Sequence, residues 1–519
     1  MFSKALLLKF LYQSHLIIGL IVLFFFYMST YFGTLTFFMP YLKVWESPSR
    51  HFTPLPNHSF NIDSILDQVI DQYHLGNAKS IEMTLPSFRD PLLKLSTESQ
   101  NSLFINPRTN DILKVAKEEN LISTFFNELH TGIVVPKIGM LLMGVMSIGI
   151  LFLTLGGFWL YWQKKKPIKV MKESWRNTWL SWHKILGLGI IPYALVFACT
   201  GAFLGVMLPF SQPFAWSASD KKESNMRSLV VPIIFAQPKY TSSEVKAVML
   251  PFSALYETAK MQYPSLEIVS ATLYHYGKEG AKVRFRGFEK ENVAQTGRIN
   301  RLSITLDAMH GTVIEKKTLE NTHHISRILS AFYYFHFVPD ETLGMRVVLA
   351  FLGGGLAFCL ASGYLLWAEK NLHRKGWLGD ITNRISIAVL IGIIPSSAII
   401  PLLHWAVPFD IFDKEIWLRG IFYAFWSFWL FYSVFERSIV TIIRLMLRST
   451  VWFLVLAVLF HGLKSGFFIW QSFSQEMWTL FYMDVLFLLC AIVLYGLSKI
   501  VEQKALFYRY ERKGVFDGY

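Results

Sequence analysis

A chain of 519 residues that is 53% hydrophobic and 16% aromatic but only 17% charged falls short of the roughly 25% charge usual in soluble proteins. Its net charge of +14 would suit a nucleic-acid binder, but Lys and Arg gather in short loops between apolar runs, where they set membrane topology instead. Cys199, Cys359 and Cys490 all lie in apolar stretches with no Cys-x-x-Cys partner, so neither a disulfide framework nor a zinc or iron–sulfur site is indicated.

Lys4 and Lys9 precede an apolar run from Leu16 to Met39. The run is longer than a signal-peptide core and no A-x-A-like cleavage site follows it, so it reads as a retained first span. Crossing a hydrocarbon core of about 30 Å takes about 20 apolar residues. By that rule about eight spans are expected, at 14–39, 138–162, 184–209, 345–368, 386–407, 416–435, 449–470 and 478–500. Every second connection is basic: Lys164, Lys165, Lys166 and Arg176; Lys370, Arg374, Lys375 and Arg384; Arg437, Arg444 and Arg448; then Lys499, Lys504, Arg509, Arg512 and Lys513. Positive loops stay inside, which predicts a bacterial inner membrane protein with both termini cytoplasmic and two long loops on the periplasmic side.

The implied plan is a first span in 1–39, an outer domain in 40–129, spans two and three with a basic loop in 130–210, and a second outer domain in 211–335. A fourth span (336–370), four additional spans (371–500) and a cytoplasmic tail (501–519) complete it. Each outer domain begins with a helical pattern, near 62–74 and near 244–263, and ends in strand, turn, strand, at 102–113 and 299–314. Each reads as a small α+β unit.

The spans around these domains repeat. His15 is followed by Gly19 and Gly33, and His183 by Gly187 and Gly201, at the same two offsets. His130 precedes Gly139-Met140 and His336 precedes Gly344-Met345; their spans end Gly157-Phe158-Trp159 and Gly363-Tyr364, with Trp162 and Trp367 beyond. A span–domain–span unit is therefore expected twice, in parallel orientation, with the last four spans as an addition.

Topology sorts the four histidines into two pairs, His15 with His183 near the cytoplasmic face and His130 with His336 near the outer face. Taken singly, each reads as an interfacial residue or helix cap; the matched spacing points instead to axial ligands of two b-type haems. Two imidazoles must face one another across a bundle, with small residues such as Gly19 and Gly187 one turn away admitting the porphyrin. Ionisable groups at membrane depth are costly and mark functional sites. Met140 and Met345 are weaker ligand candidates, His373 is an alternative to His15 or His183, and Arg346 is placed to meet a propionate or to snorkel. His310 reads as a solvated turn residue, His323 and His324 as substrate contacts or membrane-surface residues, and His404 and His461 as buried hydrogen-bonded ones. No GxGxxG or P-loop is present, so electrons must come from a separate cytoplasmic reductase or from membrane quinol.

On these residues the chain resembles the PepSY-associated transmembrane helix family, which includes bacterial ferrisiderophore reductases and iron-regulated membrane proteins. The resemblance covers roughly 10–370 and rests on the His-x-x-x-Gly starts at His15 and His183, Leu129-His130 and Phe335-His336, the Gly-aromatic-Trp exits and the two outer hairpins. It implies a membrane all-α helical bundle with two small α+β, PepSY-like periplasmic domains. It also implies haem held by the four histidines and reduction of ferric siderophores or another periplasmic acceptor. Asn110-Asp111 departs from the Thr-Gly common in PepSY turns, while His310-Gly311 keeps the Gly. Two other functions are open: a permease for an iron chelate or metal, and a non-catalytic PepSY-type binding or regulatory membrane protein.

Overall fold

The computed structural model describes the chain apart from residues 1–3, 54–60, 74, 76–77, 98–101, 114–116, 136–137, 165–174, 208–239, 241–244, 298, 339–341, 372–375 and 517–519. Two compact units result. One is helical, drawn from 1–51, 117–195 and 346–519; the other, drawn from 52–116 and 196–345, contains the sheet.

Short helical turns aside, the chain runs through α1 (Lys4–Thr36), α2 (Met39–Trp45) and α3 (Ile62–Gln72). Strands β1 (Ser80–Thr84), β2 (Leu93–Thr97), β3 (Leu103–Ile105) and β4 (Ile112–Leu113) follow. Next come α4 (Leu121–Thr131), α5 (Gly139–Lys164), α6 (Trp175–Gly189), α7 (Ile191–Ala202) and α8 (Phe252–Gln262). The second set of strands is β5 (Leu266–Tyr274), β6 (Lys282–Glu289), β7 (Leu302–Asp307) and β8 (Val313–Lys317). The chain ends with α9 (His324–Phe337), α10 (Leu343–Asn371), α11 (Gly376–Ala406), α12 (Lys414–Phe435), α13 (Ile439–Ser465) and α14 (Trp478–Phe516).

Among the described residues six helices are long and apolar enough to cross a membrane: α1, α5, α10, α11, α13 and α14. A seventh span arises if α6 and α7 count as one, bent by 69°. The bend has a local cause. Pro192 has no N–H to give the preceding turn, and Gly187 and Gly189 soften that turn. The eighth expected span, 416–435, forms α12 but is not among the six. Lys414, Glu415 and Arg419 occupy its first turns, and Trp and Tyr replace aliphatic residues along it.

The sheet unit differs from two separate outer domains. Its eight strands form one antiparallel sheet in the order β4-β3-β2-β1-β5-β6-β7-β8. The join is β1 on β5, from Ser80 opposite Tyr274 to Thr84 opposite Ser270. Alternation puts Ile81 and Met83 of β1, Val283 and Phe285 of β6, and Leu302, Ile304 and Leu306 of β7 on one face. There they pack with Ile65, Leu66 and Val69 of α3 and Phe252, Leu255 and Ala259 of α8 in a single core. Helix α8 starts later than the pattern near 244 predicts, because Pro251 occupies its N-cap and disfavours helical backbone at Leu250.

The two strand–turn–strand closures share a backbone plan. Asn110 (φ 64°) and Gly311 (φ 70°) both take the left-handed conformation. Their N–H groups bond the carbonyls of Asn106 and Asp307 respectively. Asn tolerates this region better than most side chains, so Asn110 stands where Gly311 does. The apparent loss of Gly in the first turn is a one-residue offset.

Candidate functional site

His15 of α1 and His183 of α6 come together in the helical unit. Their ring centres lie 6.2 Å apart with planes at 78°. A glycine from another helix backs each ring. A Cβ on Gly157 of α5 would stand 3.0 Å from His15 Cε1, and one on Gly363 of α10 would stand 2.9 Å from His183 Cε1. A side chain at Gly363 would force the His183 ring to shift, and one at Gly157 would press on the His15 ring.

The imidazole of His183 is also oriented. Its Nδ1 lies 3.0 Å from the Cys359 carbonyl. A carbonyl only accepts, so Nδ1 carries the proton and Nε2 carries the lone pair. This is how metal-ligating histidines are usually fixed by a second group. His15 Nδ1 is buried with no hydrogen-bond partner.

His130 and His336 have similar local settings but belong to different units, His130 to the helical one and His336 to the sheet unit. His130 lies in the last turn of α4, which Gly132 ends in left-handed backbone. Its Nδ1 donates to the Ser29 carbonyl at 2.8 Å, while the Ser29 hydroxyl donates to the His130 carbonyl at 2.8 Å. A Cβ on Gly33 would meet the ring at 2.8 Å. Burial holds this imidazole below its ordinary pKa, which keeps it neutral. His336, in the last turn of α9, places Nδ1 2.9 Å from Thr200 Oγ1. That hydroxyl already donates to the Val196 carbonyl at 2.7 Å, so the His336 Nδ1 is the donor.

The glycines one turn after the first-pair histidines do not touch imidazole. Gly19 faces Leu153 at 3.9 Å and Gly187 faces Cys359 Sγ at 3.7 Å, ordinary van der Waals contacts. The backing glycines, Gly157 and Gly363, were visible in the sequence only as repeated Gly-aromatic exits. Nothing in the sequence singled out Ser29, Thr200 or the Cys359 carbonyl. Met345 is 44% exposed, and Arg346 is buried and donates to the Phe37 carbonyl at 2.6 Å. His310 is exposed and bonds Asp307, and His323 caps α9. His373 lies outside the described residues. Among the described residues no three His, Cys, Asp or Glu side chains converge to hold a metal ion.

A second imidazole cluster fills the helical unit where α2, α11, α13 and α14 meet. His461 Nδ1 bonds the Asp484 carboxylate at 3.2 Å, and Trp45 Nε1 donates to the same carboxylate at 2.7 Å. His404 Nε2 donates to the Glu46 carbonyl at 2.7 Å. The His461 ring packs 4.9 Å from Trp45, 5.0 Å from Trp405 and 5.4 Å from His51. Burial, with His461 beside it, pushes His51 down to about 3. The Glu46 carboxylate accepts from the Ile122 and Ser123 amides at 2.7 and 3.2 Å and so caps α4. Its burial pushes its pKa up to about 8.

The spanning helices, the sheet unit and the paired histidines define a multi-span membrane protein that crosses a lipid bilayer. Residues 12–370 match the family described as PepSY-associated TM region, and the chain belongs to that family. No curated protein matches the chain.

Proposed function

We propose that the protein is a b-type haem carrier that passes electrons across the bilayer from the cytoplasmic side and reduces ferric iron in a siderophore or similar chelate on the periplasmic side. The observation that carries this reading is the His15–His183 pair. Metal–imidazole bonds run about 2.0–2.1 Å and a ring centre lies about 1.1 Å behind its nitrogen, so two imidazoles sharing one metal would stand no more than about 6.3 Å apart, centre to centre. The pair measures 6.2 Å. Two protein ligands alone do not fill a metal's coordination sphere, and a porphyrin would supply the remaining donors. The donor set therefore fits haem.

When bound, haem supplies one-electron redox chemistry. The chain's own residues do the rest. The Cys359 carbonyl fixes the His183 tautomer, Gly157 and Gly363 let α5 and α10 approach the rings, and apolar spans exclude water. His130 and His336, each with its Nδ1 hydrogen-bonded, are proposed as further haem ligands. Ferric iron is hard and favours oxygen ligands; one electron gives the softer ferrous ion, which such ligands hold less tightly. A cytoplasmic reductase or membrane quinol is the proposed electron source, and the basic connections favour an inner-membrane protein with cytoplasmic termini.

A visible spectrum of the purified protein tests this. A Soret band with sharp α and β bands after dithionite is expected, whereas a colourless protein with no pyridine haemochrome would refute it. A permease or a purely regulatory PepSY protein has no need of two glycine-backed imidazoles 6.2 Å apart.

A further inference from the structure

The face of the sheet away from α3 and α8 carries two adjacent cross-strand rows of polar side chains. One row runs Thr84, Ser270, Arg286, Ser303, Lys317 across β1, β5, β6, β7 and β8. The other runs Glu82, Thr272, Arg284, Thr305, Glu315 across the same strands. Ser303 is thus flanked by Arg286 on one side and Lys317 on the other. Arg284 reaches it diagonally, its Nε donating to Ser303 Oγ at 3.2 Å.

In these rows the cations outnumber the carboxylates, Arg284, Arg286 and Lys317 against Glu82 and Glu315. Arg284 is only 8% exposed, yet among the described residues neither it nor Lys317 forms an ion pair. Burial, with Arg284 beside it, holds the Lys317 ammonium below its ordinary pKa although Glu315 on the same strand pulls the other way. Arg286 bonds Thr272 Oγ1 at 2.9 Å and meets Glu82 at 3.5 Å, but its Nε is buried without a partner, as is the Ser270 hydroxyl. Adjacent, partly buried cations with unfilled donors are costly unless an anion meets them. Three strands at spacings of about 4.8 Å spread these donors over about 10 Å, the width of a small polycarboxylate chelate rather than of a single ion.

We infer that this face binds the chelate the protein reduces, and that the chelate is anionic, its oxygen ligands received by Arg284, Arg286 and Lys317 over the hydroxyls of Ser270 and Ser303. The inference rests on the ferric-chelate reading above and narrows its substrate to negatively charged complexes. Arg supplies bidentate donors to carboxylate oxygens and Lys a point charge, so charge-assisted bonds replace the weak Arg286–Glu82 contact.

Gallium(III) chelates test it without electron transfer. The full-length protein in detergent is titrated calorimetrically with anionic gallium citrate and with the cationic gallium complex of desferrioxamine B. Gallium citrate is expected to bind at least about tenfold more tightly, and Lys317→Gln and Arg284→Gln are each expected to weaken it by about tenfold. Because Arg284 is buried, circular dichroism accompanies that variant, while half-buried Lys317 carries the test if Arg284→Gln does not fold. Equal affinity for the two complexes, no binding of gallium citrate, or unchanged affinity in Lys317→Gln overturns the proposal. Binding without haem in the preparation would refute the electron-transfer reading alone; haem without charge-selective binding would refute this one alone.

Discussion

The helical unit holds two groups of histidines, and they are built in opposite ways. His15 and His183 stand 6.2 Å apart with glycine behind each ring. His51, His404 and His461 instead lie among indoles and one another at 4.9–5.7 Å, tied to Asp484 and to backbone carbonyls. The first arrangement sets the two rings edge-on and brings a bare glycine backbone against each. The second closes every gap with aromatic surface. Histidine at membrane depth is therefore not by itself a sign of a cofactor. Spacing and what stands behind the ring separate the two groups: the first is the proposed ligand pair, and the second packs α2, α11, α13 and α14 against one another.

That contrast is breakable. The largest effect is expected at His461. His461→Ala leaves the fully buried Asp484 with Trp45 alone, and removing one partner of such a pair costs about 3 kcal/mol. Thermal unfolding should show the loss while haem content stays at the wild-type level; a fall in haem would merge the two groups. Next comes pH. His51 has a folded pKa of about 3 against about 6.5 in the unfolded chain, so its contribution is present above about pH 6.5 and is lost as pH falls toward 3. Between pH 7 and 5 the loss amounts to about 2 kcal/mol. His51→Phe should flatten that part of the stability profile, and an unchanged acid slope would show that His51 is not the group responsible.

The smallest changes sharpen the ligation side. Gly363→Ala drives a Cβ to 2.9 Å from His183 Cε1 and should lower haem occupancy, by up to about half of the total if the ring is expelled. Gly187→Ala meets Cys359 Sγ at 3.7 Å and should retain full haem. Haemochrome assays of the two variants compare a cross-helix contact with a sequence neighbour, and the reverse result would restore Gly187 as the residue that admits the porphyrin.

What was legible in the sequence was local. Span length and apolarity located α1, α5, α10, α11, α13 and α14, and period-2 alternation located the strands of the sheet unit. The His15 and His183 positions stood out through repeated spacing. Contacts between distant segments were not legible. The pairing of β1 with β5 joins residues nearly 190 positions apart and turns two expected domains into one sheet. Sequence marks Gly157 and Gly363 only as helix exits, because only packing brings them against His15 and His183. The Trp45–Asp484 bond joins the end of α2 to α14, a separation of 439 residues that no window of sequence spans. The α6–α7 bend was the reverse case: Pro192 announced it, but an unbroken apolar run at 184–209 masked it.

Electron paramagnetic resonance of the oxidised, purified protein tests the central claim most directly. Imidazole planes at 78° leave two iron d-orbitals nearly equal in energy, which gives a highly anisotropic low-spin signal distinct from the rhombic signal of parallel planes. Such a component, present in the wild type and absent in His183→Ala, is the predicted result. A protein without low-spin haem, or a component that survives loss of both His15 and His183, would contradict the assignment.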